Sequence, residues 1–168
     1  MKAIGVLVLL AAVGAGLYFA VLKPVEIPEL TLLNASGQRV TTAELRGDGE
    51  AILMVILLPN CPVSKYSAGL LTEQMNKTSL DVAFAGLVYG DRAGAAKLQR
   101  DWGLTFPCFG LKDAPDPLAF NALIEEVGTR RRVTGGTILL LDSENKLLFK
   151  LENDEIKELA DRLADAGF

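Results

Sequence analysis

The run Cys61-Pro62-Val63-Ser64-Lys65 is where residue types and spacing point to chemistry. Proline suits the first position of a helix, because its missing N–H would have no partner there. Cys61 then falls at the helix N-terminus, where unpaired N–H groups and the macrodipole favour a thiolate. Lys65, one turn on, adds positive charge nearby. A thiolate so placed is a nucleophile toward disulfide or sulfenic sulfur. Against this stands a plainer reading, in which Cys61 is a buried, inert cysteine. Competing chemistries are few. The chain has 168 residues, two cysteines and no histidine, which removes the commonest general base and the commonest metal ligand. Two cysteines without histidine do not make a standard structural zinc site. Asp113, Asp116, Glu125 and Glu126 form no metal-site pattern, and no cofactor is implied. A net charge of −4, from 17 basic and 21 acidic residues, gives no global case for nucleic acid.

The elements that must position Cys61 are legible from apolar patterning. Ala51 to Leu58 is a continuous apolar run, as expected for a strand covered on both faces. Pro62 to Lys77 reads as a helix with Tyr66, Leu70, Leu71 and Met75 on its inner side. Asp81 to Tyr89 is a second buried strand, and Thr137 to Leu141 a third. Arg92 to Trp102 is a helix stopped by Gly103, and Pro117 to Val127 one stopped by Gly128. Phe106 to Leu111 is a short strand. Lys146 to Leu151 pairs with the third buried strand across Ser143-Glu144-Asn145, and Asp154 to Ala166 is a final amphipathic helix. Upstream, Val25 to Leu30 is a linker. Leu30 to Asn34 and Gln38 to Thr41 form a hairpin with a Gly turn, and Thr42 caps a short helical turn ending at Gly47. Buried strands alternating with helices mean an α/β domain with a largely parallel centre. The three buried strands are expected to be neighbours in one sheet.

Residues Ile4 to Leu22 are nineteen uncharged, mostly apolar residues. As a helix they rise roughly 28 Å, close to the thickness of a bilayer's hydrocarbon core. The reading is a transmembrane signal-anchor over residues 1–23, with a domain over 24–168. The competitor is a cleaved signal peptide, whose apolar region is usually shorter. Signal-anchor logic places the N-terminus inside. The expectation is a single-pass protein of the bacterial inner membrane, its domain facing the periplasm or cell exterior.

Taken in order, the strand, the Cys-Pro-x-x helix start and the next buried strand make the chain resemble the redoxin branch of the thioredoxin-like superfamily. That branch includes the thiol-disulfide oxidoreductases of cytochrome maturation and the peroxiredoxins. The resemblance runs from residue 25 to about 160. It is carried by Ile27-Pro28-Glu29-Leu30-Thr31-Leu32 with Gly37-Gln38-Arg39-Val40, and by Leu57-Leu58-Pro59-Asn60-Cys61-Pro62. Phe106-Pro107 with Asp113, and Leu139-Leu140-Leu141-Asp142 with Lys146-Leu147, complete it. It implies a thioredoxin-like fold, a central mixed sheet flanked by helices. It also implies a catalytic group of Cys61, Ser64 and Lys65, and a peptide-binding surface of Pro62, Gly135, Gly136 and Arg131.

The departures from that family bear on activity. A dithiol oxidoreductase has Cys-x-x-Cys, and here Ser64 holds the second cysteine's place. Ser64 can hydrogen-bond a thiolate but cannot resolve a mixed disulfide. The family's cis-proline falls at Gly136, within Val133-Thr134-Gly135-Gly136-Thr137. Met54 and Leu58 occupy the peroxiredoxin Pro and Thr/Ser places, and its arginine falls near Gly136. Arg130-Arg131-Arg132 lies in the loop that this fold brings beside the cysteine. That run either supports the thiolate or docks an acidic partner, or is a solvated loop. Cys108, 47 residues after Cys61, is a resolving partner or a small core residue on an outer strand. An edge-strand start and a central helix start are too far apart for the Cα separation below about 7 Å that a disulfide needs. Cys61 and Cys108 are therefore expected to be unjoined at rest. Two functions follow. One is monothiol disulfide exchange through Cys61 with protein thiols or disulfides of an exported or membrane partner. The other is a non-enzymatic accessory or recognition subunit of a membrane complex.

Overall fold

The computed structural model describes residues 25–77, 82–127 and 134–168. The apolar segment at residues 4–22 and the Arg130–Arg132 run lie outside the described residues. Among the described residues no helix is long and apolar enough to cross a membrane. Three strands occupy the expected apolar runs: β3 (Ala51–Leu57), β4 (Val82–Val88) and β6 (Ile138–Asp142). With β5 (Cys108–Gly110) and β7 (Leu147–Leu151) they make one sheet of order β5-β4-β3-β6-β7. The three apolar strands are thus neighbours. The β3/β4 and β4/β5 pairs are parallel, while β3/β6 and β6/β7 are antiparallel. The sheet is therefore mixed rather than largely parallel.

β3 lies at the middle of the sheet and every one of its residues is buried. Successive side chains of a strand point to opposite faces. Leu53, Val55 and Leu57 join one core cluster, and Ile52, Met54 and Ile56 the other. The first cluster is covered by α2 (Pro62–Lys77), α3 (Arg92–Trp102) and the C-terminal α5 (Leu159–Asp165), through Leu71, Leu98 and Leu163. The second is covered by β1 (Thr31–Leu33) and α4 (Pro117–Val127), through Leu32 and Leu123. Truncating a β3 leucine to alanine would cost about 2–5 kcal/mol, because such a site relaxes only partly.

Four local expectations are corrected. Residues 25–30 are no free linker, because Ile27 and Leu30 are buried. The segment also bonds along β7's start, Ile27 N–H to Asn145 O at 2.9 Å and Leu147 N–H to Val25 O at 2.9 Å. The short α1 (Thr42–Arg46) is capped by Thr41 rather than Thr42. Thr41 and Glu44 form a reciprocal capping box, while buried Thr42 accepts from Leu30 N–H at 3.3 Å. The final helix is divided into a 3₁₀ segment, Asn153–Glu158, and α5. Finally, Tyr66 and Met75 do not face the core. The buried face of α2 carries Ser64, Ser67, Ala68 and Leu71.

Candidate functional site

β3 ends at Leu57 and the chain turns sharply before α2. Asn60 takes a left-handed φ of 65°, a region where Asn is enriched, and Cys61 N–H donates to Leu58 O at 3.2 Å. Lys65 N–H donates to Cys61 O at 3.1 Å. The Cys61 carbonyl therefore accepts the first helical bond while its side chain stands at the helix entrance. Pro62 contributes no N–H, so the next amides, of Val63 and Ser64, face the thiol. The Ser64 amide is the largest cause of a thiol held below its ordinary value. Partial burial opposes it, and the Ser64 hydroxyl and the Val63 amide add to the lowering. Cys61 is partly exposed, so a partner sulfur can reach it.

Ser64 is wholly buried and holds the turn together. Its Oγ accepts from Leu58 N–H at 3.0 Å, and its hydroxyl is one of the groups that hold the Cys61 thiol below its ordinary value. Above it lies the loop 134–137. A Cβ at Gly135 would stand 2.6 Å from Ser64 Oγ and 2.8 Å from Leu58 Cδ1. At Gly136 it would stand 2.7 Å from Ser67 Oγ and 2.9 Å from Val63 Cγ1. Gly136 has φ +93° and the described residues contain no cis peptide bond. Proline, fixed near −65°, could not take that conformation. Gly136 N–H donates to Ile56 O at 2.7 Å and Ile56 N–H to Thr137 O at 2.9 Å, so this loop prolongs the β3/β6 ladder to the site.

Cys61, Pro62, Ser64, Gly135 and Gly136 thus come together. Lys65 is exposed on the first turn and is not among the groups that lower the Cys61 thiol. Arg131 lies outside the described residues. Sequence reasoning missed Ser67 and Val63, which meet Gly136, and the support given to Leu58 by Ser64. The signal was present: Ser64, Ser67 and Ala68, at spacings of three and four, form a strip of small residues that lets a backbone approach closely.

Cys108 is a separate matter. Both cysteines are free. Cys108 is buried on the β5 edge, and a Cβ at Gly86 would meet its Sγ at 2.7 Å. Burial pushes its thiol up to about 12 from 9.0. Intact mass without reductant should show no loss of two hydrogen atoms, and brief native alkylation should label Cys61 alone. A Cys61–Cys108 linked peptide would overturn this. The folded pKa is raised, so the Cys108 contribution to stability is complete below pH 9.0 and lost as pH rises toward about 12.

No protein-family model matches the chain, and no curated protein matches it. Solved structures do. The chain is similar to a thiol-disulfide oxidoreductase from Bacteroides fragilis, 17% identical with TM-score 0.60, over 84% of this chain and 98% of that one. It is similar to a candidate protein disulfide isomerase from Bacteroides thetaiotaomicron, 18% identical with TM-score 0.63, over 85% and 89%. It is also similar to BsSco, a member of the Sco family of cytochrome c oxidase assembly proteins in which a disulfide switch was identified. That pair is 14% identical with TM-score 0.63, over 86% and 95%.

Proposed function

The chain carries a thioredoxin-like fold, and on that premise we propose that it is a membrane-anchored, extracytoplasmic monothiol redoxin acting through Cys61. The observation that carries this reading is the partly exposed Cys61 thiol, lowered by the Ser64 amide, the Ser64 hydroxyl and the Val63 amide. The Cys61 thiolate attacks one sulfur of a partner disulfide. A mixed disulfide forms, and the partner's second sulfur leaves as thiolate and takes a proton from water. An external thiolate then attacks the partner sulfur of the mixed disulfide and releases Cys61 as thiolate. The partner is left disulfide-bonded to the external thiol, and Cys61 undergoes no net oxidation. The apolar character of residues 4–22 in the sequence supports the anchor, and signal-anchor logic, which puts the N-terminus inside, supports an exported or membrane partner.

Thiolates react with iodoacetamide and thiols do not, so the rate against pH reports the thiol pKa. Cys61 is expected to reach half its maximal rate below about pH 8.5. A model disulfide should leave an adduct that persists until external thiol is added, because Ser64 offers no internal exit. Alkylation only above about pH 8.5, with no adduct, would sink the redox reading. One pair of observations favours a second reading, an accessory or recognition subunit. Ser64 stands where dithiol relatives have a thiol, and Gly136 has a φ closed to proline.

A further inference from the structure

β6 and β7 run antiparallel, and their pairing ends with Ile138 opposite Leu151. One step further, the same register sets Thr137 across from Glu152. Residues directly opposite on such a pair lie close enough for their side chains to meet. These do: Thr137 Oγ1 lies 3.3 Å from Glu152 Oε1, and Thr134 Oγ1 lies 3.4 Å from the same oxygen. The two hydroxyls are 3.1 Å apart, and Thr137 Oγ1 is also 2.8 Å from Thr134 O. Each hydroxyl has one hydrogen, so the pair serves two acceptors at a time, and Glu152 Oε1 is within reach of both. Thr137 is buried. The Glu152 side chain is only 12% exposed, with Lys150 Nζ 3.4 Å from its Oε2. A carboxylate drawn that far from water is costly unless it is paired and hydrogen-bonded. Lys150 at one oxygen and the two threonines at the other meet that condition.

The same two threonines bracket Gly135 and Gly136. That dipeptide lies so close to α2 that a Cβ on Gly135 would overlap Ser64 Oγ and Leu58, and one on Gly136 would overlap Ser67 Oγ and Val63. The loop's backbone is held by its bonds to Ile56. Its side chains, at both ends, are held by Glu152. Ser64 and Val63, on which the loop rests, are the residues whose amides and hydroxyl act on Cys61. A shift of Gly135 would free Ser64 Oγ to turn, so the hold of Glu152 reaches the sulfur in two packed steps.

We propose that Glu152 is a positioning residue for Cys61: its carboxylate fixes Thr134 and Thr137, and through them seats Gly135 and Gly136 on the turn that carries Ser64. The proposal rests on the disulfide-exchange reading and adds to it a residue from the end of β7. A carboxylate suits the task because it only accepts, so it orders two hydroxyls that would otherwise turn to each other or to solvent. No bond of the exchange step forms or breaks at Glu152. It sets how firmly the donors around the sulfur are aimed, and such preorganisation is lost when its supporting contacts loosen.

The test uses the full chain in lipid discs, with two readings: the pH profile of Cys61 alkylation by iodoacetamide, and thermal unfolding. Glu152→Ala should raise the midpoint of the profile by about half a pH unit. Alkylation near neutral pH should slow about twofold, since a thiolate of higher pKa is more nucleophilic and offsets part of the lost thiolate fraction. Thr137→Val keeps the side-chain shape, removes the hydroxyl and should do the same. Thr137→Ser keeps the hydroxyl and should leave the profile in place. The Glu152→Ala and Thr137→Val effects should not add in the double variant, as expected of groups that act through one contact. Glu152→Gln keeps an accepting oxygen and should lie nearer the wild type than Glu152→Ala. Leu32→Ala, in the core cluster on the other face of the sheet, should lower the melting temperature without moving the profile. An unmoved profile in both Glu152→Ala and Thr137→Val would overturn the proposal, whatever their melting temperatures, and leave exchange standing. So would an equal shift in Leu32→Ala, because the shift would then report general loosening. If Glu152→Ala does not fold, the Thr137 pair decides on the same terms. A wild-type Cys61 with no lowered midpoint and no adduct with 5,5′-dithiobis(2-nitrobenzoate) would overturn both the proposal and the exchange reading.

Discussion

Replacing Ser64 by alanine is expected to raise the Cys61 thiol and to destabilise the fold by about 1–3 kcal/mol. The second figure is the cost of leaving a buried donor unmade. Leu58 N–H now bonds to Ser64 Oγ at 3.0 Å, in a place that water does not reach readily because Ser64 is fully buried. The thiol effect is partial, since the Ser64 amide, the leading cause of the lowering, survives the substitution. The sign with pH follows from linkage. A thiol lowered on folding adds stability that is present above its unfolded value and is lost as pH falls through the folded value. The alanine variant should show a smaller gain over that window. Urea unfolding at several pH values, together with the alkylation profile of Cys61, measures both effects. Unchanged stability and an unchanged profile would mean that Ser64 merely fills space.

The largest loss of stability is expected at Gly136. Alanine there would place Cβ 2.7 Å from Ser67 Oγ and 2.9 Å from Val63 Cγ1, at a φ of +93°. Overpacking costs about 1–3 kcal/mol, and a non-glycine residue in a sparsely populated backbone region costs about 1–3 kcal/mol. Thermal unfolding should fall by several degrees, at about 2–4 °C per kcal/mol for a domain of this size. Gly135→Ala is the companion case. Its Cβ would meet Ser64 Oγ at 2.6 Å and Leu58 Cδ1 at 2.8 Å, but its φ is not left-handed, so only the steric part applies. That variant should also disturb Cys61, since the hydroxyl it displaces is one that lowers the thiol. If Gly136→Ala melts with the wild type, the close packing of this loop on α2 is not what holds it.

Much of this arrangement was legible in the amino-acid sequence, because single residues and local patterns decide it. Three continuous apolar runs bounded by turn residues read as strands covered on both faces, and they are the neighbours β4, β3 and β6. Pro62 after Cys61 marks a helix start, and a helix start leaves unpaired amides wherever it occurs. The Cys61 site therefore follows from local chemistry, as does the Gly37 turn between β1 and β2 (Arg39–Thr41).

What only the tertiary structure decided are choices made between segments distant in sequence. Apolar periodicity selects large residues as the inner face of a helix, and on α2 it selected Tyr66 and Met75. The true inner face begins with Ser64 and Ser67, because the backbone of Gly135 and Gly136 is pressed against that turn and leaves room for nothing larger. The direction of β6 relative to β3, the close seating of Cys108 on Gly86, and the exposure of Tyr66 share this character. Each depends on which backbone lies across which side chain, and the close approach that leaves no room for a Cβ at Gly135 and Gly136 involves residues far away in the chain, so it is set by packing rather than by any local preference.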